Sequence, residues 1–570
     1  MVLVSRDWQN GSDCMKKIIA LLSAIILIAA IAICAVFSVY AYTCGDFEYT
    51  LSANKATIVG YNGNASILTI PSELDGYTVV EIDEQVFQNN STLERVTVPS
   101  SVTKIGNKSF YNCSKLKMVS LSNSITEIPE KAFAYCTALE NITFSGSLAK
   151  VYKEAFKACS SLQRFGFPST VTYIGDSAFS GCNTLQTDLT NLTPAITYLG
   201  SEAFRNCYNA YGEVNIAANT TVGGLAFDAC GISAINIDAN HPTYSSLNGV
   251  AFNKDKSVLV RYPAGSESVS YSIPSTVTQI DNYAFHGAQN LETVIIPTNV
   301  TCIGTYAFAG CLKLDNISVP DSITALESYV FSSCPMLHSI TLPNSLQTIG
   351  AHAFAYCDLY GIELPSSLTT LGKYAFYRNY NLEELTLPNS ITNMDNFVFE
   401  NCESLSSVVL PANLTNVPWG TFANCTALEE ITVPEGYEEI EGSSFSGCTS
   451  LSIINLPSTL TTIGRNAFSN TGLTDVFYNS TEDDWENVVV NATGNQPLLN
   501  ADFHFLCEHT HSYTITGIQN GTITLTCDCG DSFETCFVDH LNVRGDDVLD
   551  LNRDRIVNGK DYAILIKQFR

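Results

Sequence analysis

The side chains best placed to do chemistry lie near the C-terminus. In Asp550-Leu551-Asn552-Arg553-Asp554-Arg555-Ile556-Val557-Asn558-Gly559-Lys560-Asp561, oxygen side chains fall at positions 1, 3, 5, 9 and 12 of a twelve-residue loop that leads into an apolar segment. A hard cation such as calcium takes oxygen ligands at this spacing. Upstream, Cys507, His509, His511, Cys527, Cys529 and Cys536 crowd into one short stretch. Thiolates and imidazoles held close together can bind zinc, but Cys527-Asp528-Cys529 is tighter than the usual knuckle, so zinc is the weaker reading. A small β-module stapled by disulfides is the plainer one, and the cysteines could also do neither. Thr514-Ile515-Thr516 and Thr522-Ile523-Thr524-Leu525-Thr526 read as two strands of that module, joined through Asn520-Gly521. Elsewhere no Ser-His-Asp constellation, nucleotide loop or zinc-protease motif appears, and four of the eight histidines lie in or beside the Cys/His stretch.

The twelve-residue loop resembles the dockerin calcium loop. That resemblance implies Asp550, Asn552, Asp554 and Asp561 as side-chain calcium ligands and the carbonyl of Ile556 at position 7. It also implies a cohesin-type module of a cellulosome-like scaffold as partner. Two departures stand against it. Arg555 occupies position 6, where a glycine usually allows the sharp turn, and one clear copy is present where dockerins carry two.

Most of the chain is built from one recurring unit. A phenylalanine stands three residues before a cysteine in Phe110-Tyr111-Asn112-Cys113, Phe133-Ala134-Tyr135-Cys136 and Phe156-Lys157-Ala158-Cys159, at a spacing of 23. The phenylalanine column runs from Phe87 to Phe468 through sixteen registers. The cysteine column holds Cys in twelve of them and Asn90, Ala288, Asn379 and Thr471 in the other four. A fixed period of this length is the signature of a solenoid. Within one unit, Leu314, Ile317 and Val319 point one way and Asn316 and Ser318 the other, a short strand with one buried face. Pro320 ends that strand, and Ile323 and Leu326 turn back inward. Glycines after the second of these positions, such as Gly106, Gly304, Gly350 and Gly464, fit a tight turn that takes positive φ. Cysteines of one column project alike from rungs about 4.8 Å apart, a poor geometry for disulfides. They read as free, buried thiols.

The unit resembles leucine-rich repeats, specifically the BspA-like group of bacterial surface proteins, over roughly residues 70–475. The resemblance implies an α/β-type solenoid dominated by β, with short parallel strands on its concave side. The exposed strand positions there are Arg95 and Thr97, Asn141 and Thr143, Thr293 and Ile295, Asn316 and Ser318, Ser339 and Thr341, Glu384 and Thr386, and Glu430 and Thr432. They are mostly small and polar, as a recognition surface is, and equally as solvent-facing strands are.

The expected organisation follows. Residues 1–14 precede a more natural start at Met15. Residues 15–41 hold Lys16-Lys17, the apolar run Ile18 to Phe37 and Val39-Tyr40-Ala41, a signal peptide cleaved after Ala41 or else a retained anchor. Residues 42–80 cap the solenoid, 81–475 form the repeats with an inserted hairpin at about 238–265, and 476–506 form the second cap. Residues 507–537 are the Cys/His module and 538–570 the calcium-loop segment, a short helical tail. Acidic residues outnumber basic ones 56 to 28, a formal charge of −28. This argues against nucleic acid as partner, and against a membrane beyond the N-terminal segment. The function expected is that of a secreted or cell-surface bacterial protein, non-catalytic, binding a protein or glycan through the solenoid and attached by its tail. The alternatives are a self-associating structural spacer and an accessory component of a polysaccharide-degrading complex.

Overall fold

The computed structural model describes residues 41–144, 147–190, 192, 195–506, 513–519, 522–527 and 532–536. The calcium loop, the N-terminal apolar run, Cys507 and Cys529 lie outside the described residues. The chain divides into two compact units, Met1–Asn379 and Tyr380–Arg570.

In the first unit, Tyr42–Cys44, Phe47–Ser52 and Lys55–Tyr61 form an antiparallel meander. Lys55–Tyr61 then pairs in parallel with Tyr77–Ile82, and Tyr77–Ile82 with Lys104–Ile105. The meander thus covers an edge that would otherwise offer unpaired backbone to other chains. Beyond it most turns contribute a rung to two parallel ladders. One ladder joins Ile67–Thr69, Arg95–Thr97, Met118–Ser120 and Asn141–Thr143 in register. The other joins Glu127–Ile128, Lys150–Val151, Tyr173–Ile174, Tyr198–Leu199 and Thr221–Val222. The solenoid is mostly β. Among the described residues its helices are the short Glu482–Trp485 and Gln496–Leu499.

The phenylalanine segment couples the rungs. The N–H groups of Lys108, Phe110 and Asn112 donate to the carbonyls of Glu130, Ala132 and Ala134 of the next rung, at 3.0, 2.9 and 2.8 Å. Lys108 and Asn112 achieve this with φ of 55° and 56°, a left-handed conformation that costs roughly 1–2 kcal/mol per non-glycine residue. The rings stack as the backbones do. From Phe87 to Phe227 successive centroids lie 4.9–5.8 Å apart with planes within 12°. A second run joins Phe285, Phe308, Phe331, Phe354 and Phe376.

The cysteines beside these rings are free and buried, from Cys113 to Cys448. Each of most of them donates its thiol to the phenylalanine carbonyl of the rung before, as Cys136 does to Phe110 O at 3.0 Å and Cys334 to Phe308 O at 3.1 Å. Asn379 keeps the bond, giving Nδ2 to Phe354 O at 2.8 Å. The column therefore takes small residues and mostly donors, with Ala288 as an exception. The glycines call for a correction. Gly106, Gly304, Gly350 and Gly464 do not have positive φ. A Cβ on Gly106 would stand 2.4 Å from Glu84 N, and one on Gly464 2.5 Å from Gly442 N. What excludes a side chain there is the backbone of the previous rung.

The insert holds one strand more than the hairpin read from sequence. Val250–Asn253 and Val258–Arg261 pair antiparallel, and Tyr244–Leu247 joins them on the other side. The extra turn is Asn248-Gly249, with φ of 51° and 77°, the two positive angles that a two-residue hairpin loop favours. Val258–Arg261 pairs in parallel with Gln279–Ile280 and so restarts the ladder.

In the second unit Phe399, Phe422, Phe445 and Phe468 stack at 5.4–5.6 Å. The buried Asn495 closes the column, taking Phe468 N on Oδ1 at 2.9 Å and giving Nδ2 to Gly464 O at 2.8 Å. Thr481 caps the helix that Asp483 and Asp484 begin. Tyr513–Gln519, Thr522–Cys527 and Ser532–Cys536 form a three-stranded antiparallel sheet, again one strand more than the sequence indicated. Its register pairs Cys527 with Tyr513 and Cys536 with Thr522, at opposite ends of the central strand.

Two outcomes follow from the spine. Phe156→Ala removes a fully buried ring and is expected to destabilise the chain by about 3–5 kcal/mol in denaturant unfolding; a loss below about 1 kcal/mol would contradict the packing. Burial pushes the Cys182, Cys230 and Cys448 thiols up to about 12, so little thiolate forms near neutral pH. Brief iodoacetamide treatment with peptide mapping is expected to label the exposed Cys302 and to leave the twelve column cysteines unmodified until denaturant is added.

Candidate recognition surface

Most rungs of the three-residue ladder bury the middle residue and expose the two beside it. Val96, Val119 and Ile142 face the core, while Arg95 and Thr97, and Asn141 and Thr143, stand exposed in register. A later sheet of the same unit aligns Ser270, Thr293, Asn316 and Ser339 in one column and Ser272, Ile295, Ser318 and Thr341 in the other. In the second unit Glu384 and Thr386 pair with Ser407 and Val409, and Glu430 and Thr432 with Ile453 and Asn455. The structure thus places each of the ladder residues read from sequence on an exposed strand position.

The columns are not uniformly polar. Ile295 is 66% exposed, Val409 56% and Phe477 41%. Around them the polar groups hold one another. Asn455 Nδ2 donates to Glu430 Oε1 at 3.0 Å and to Thr432 Oγ1 at 3.1 Å. His504 stacks on Phe477 at 4.4 Å and hydrogen-bonds Asp475 Oδ1 through Nε2 at 2.9 Å. That bond, with one from Thr474, holds the Asp475 carboxyl below its usual range. His338 meets Asp315 Oδ1 at 2.7 Å and so lowers that carboxyl in the same way. Among the described residues neither imidazole is hydrogen-bonded to a hydroxyl or a thiol, the contact that would activate a nucleophile. Among the described residues no group of three or more His, Cys, Asp or Glu side chains could hold a metal ion.

Two further features were not read from the sequence. Tyr283, Tyr306, Tyr329, His352 and Tyr374 stack as a half-buried row, centroids 4.4–4.9 Å apart. They stand two residues before the spine phenylalanines, so the same period would have revealed them. Burial, helped by Lys373, lowers the basicity of His352 within the row. The second feature is a buried carboxylate, Asp228, held by Arg261 Nη1 at 2.9 Å, His286 Nδ1 at 2.9 Å and Arg205 Nε at 3.2 Å. No periodic signal announces it, because the insert supplies Arg261.

A family model described as BspA type leucine rich repeat region (6 copies) matches residues 61–186, 186–258, 264–383 and 369–489. Solved structures are also similar. A leucine rich cell surface protein from Faecalibacterium prausnitzii is 26% identical, with 80% of this chain and 98% of that one covered and a TM-score of 0.42. A leucine-rich repeat protein from Bacteroides ovatus is 24% identical over 82% and 100% of the two chains, TM-score 0.35. The pneumococcal vaccine antigen PcpA is 20% identical over 82% and 99%, TM-score 0.38. No curated protein matches. Among the described residues no helix is long and apolar enough to cross a membrane. The assignment rests on the repeat model, which spans both units: the chain belongs to the BspA-type leucine-rich repeat family.

Proposed function

We propose that this chain is a non-catalytic, secreted or cell-surface bacterial protein whose exposed strand ladders recognise a protein or a glycan. The observation that carries this reading is the presence of Ile295 and Val409, more than half exposed, in columns of Ser, Thr and Asn. An isolated apolar side chain on a strand is ordinary. Apolar groups set on a flat ladder whose polar neighbours are aligned by register offer anchors with a hydrogen-bonding rim, the anatomy of a recognition face. The apolar run after Lys16-Lys17 supports export or anchoring. The C-terminal loop, with Asp550, Asn552, Asp554 and Asp561, supports calcium-dependent attachment to a cohesin-type scaffold.

The ladder reading is tested on arrays of matrix proteins and bacterial and plant glycans. The full chain is expected to bind a discrete set, and Ile295→Glu or Val409→Glu to weaken that binding at least about tenfold, near 1.4 kcal/mol. Unchanged binding in both variants would move recognition off the ladders, and binding to nothing would favour a spacer. Calorimetry on the full chain tests the tail: calcium at about millimolar concentration is expected to give a heat that Asp554→Ala abolishes. No heat in the native chain removes calcium from the account.

A further inference from the structure

Each phenylalanine segment in the first unit donates forward to the next rung, until the insert. Glu202 N gives to Gly224 O at 3.0 Å, Phe204 N to Ala226 O at 2.8 Å and Asn206 N to Asp228 O at 2.9 Å. One rung later the pattern stops. Among the described residues, the N–H groups of Leu225 and Phe227 donate to no acceptor. The ring column stops at the same place. Phe227 stacks on Phe204 at 5.8 Å and on no other ring. Tyr262, beyond the insert, stacks on Phe285 instead.

Between the segment Gly223–Phe227 and the strand Val258–Arg261 lies a small cleft of about 80 Å³, open to solvent on one side. Ile216, Ile235, Tyr244 and Ala251 line it together with Phe227, so its interior is apolar. One charged group reaches it. Arg261 lines the cleft and is only 7% exposed. Its hydrogen bonds, to Asp228 Oδ1 at 2.9 Å and to the carbonyl of Tyr283, both use Nη1. Among the described residues Nε and Nη2 donate to no acceptor. Asp228 also meets His286 Nδ1 at 2.9 Å and Arg205 Nε at 3.2 Å, and its one hydrogen bond from Arg261 comes from Nη1. Here an unused guanidinium edge and two unused amides surround one apolar cleft. An anion with two oxygens in one plane is the natural acceptor for such a fork.

We propose that this cleft binds a small apolar carboxylate, an aryl or short branched-chain acid. Its carboxylate accepts from Arg261 and from the free N–H of Leu225 or Phe227, and its apolar body covers the open face of Phe227. The ligand takes the place that the next rung would occupy in the regular repeat.

The test uses the full chain and phenylacetate as probe, with phenylacetamide as its uncharged isostere, followed by calorimetry. The acid is expected to bind at least about tenfold more tightly than the amide. Gly224 lines the cleft, has no positive φ and would meet nothing within 4 Å of an added Cβ. Gly224→Leu is therefore expected to melt as the native chain does and to weaken phenylacetate at least about tenfold by occupying the cleft. Equal affinity for acid and amide overturns the proposal. So does binding of neither at about 10 mM, or undiminished phenylacetate binding by a folded Gly224→Leu. Should that variant melt early, the acid–amide comparison on the native chain decides alone.

Discussion

A rung of this solenoid cannot cover its own apolar face, and everything else in the structure depends on how the next rung covers it. The coupling is made at the phenylalanine segment. Alternate amides there reach forward to carbonyls, as those of Lys108, Phe110 and Asn112 do, while the ring lies flat on its neighbour. The left-handed residues on either side of each ring bend the backbone so that three alternate amides point the same way. Their conformational cost is offset by bonds that a plain turn would leave to water. The thiol donated back to the previous phenylalanine carbonyl ties the same two rungs from the other side. Stability in such a body is close to a sum of unit and neighbour terms, so a fault in one joint is local.

The departures from the repeat show what the joint requires. Where Asn379 replaces a cysteine, the amide makes the same bond. Where the second unit's column ends, Asn495 supplies both an acceptor and a donor in place of a further rung. At the insert, a three-stranded sheet and Arg261 take over, and they cover the rung incompletely. That incomplete cover is where donors and apolar surface are left together. The recognition face is a different product of the same regularity. Parallel pairing in strict register sets chemically similar side chains side by side, so a few apolar members such as Ile295 acquire a polar frame without any specialised loop.

Much of this was legible in the residues because the period is short and the interior tolerates little variation. The phenylalanine column, the buried thiols and the exposed ladder positions such as Asn316 and Ser318 all follow from one spacing. The role of Gly106 did not follow, because a close approach between rungs and a positive φ leave the same mark in a sequence. The strand Tyr244–Leu247 was missed although Asn248-Gly249 is a hairpin turn, since alternation in Tyr244-Ser245-Ser246-Leu247 is weak. The third strand beyond Cys527 was missed for a similar reason. The Asp228 cluster lay beyond reach, because its partners come from 33 and 58 residues downstream and only the folded insert brings them together.

Hydrogen exchange at single amides tests the forward coupling most directly, since exchange reports local opening of each bond. The account predicts strong protection at Phe110, Phe133, Phe156, Phe179 and Phe204, and fast exchange at Leu225 and Phe227 in the unliganded chain. Uniform protection across Phe204 and Phe227, or free exchange throughout the column, would contradict it.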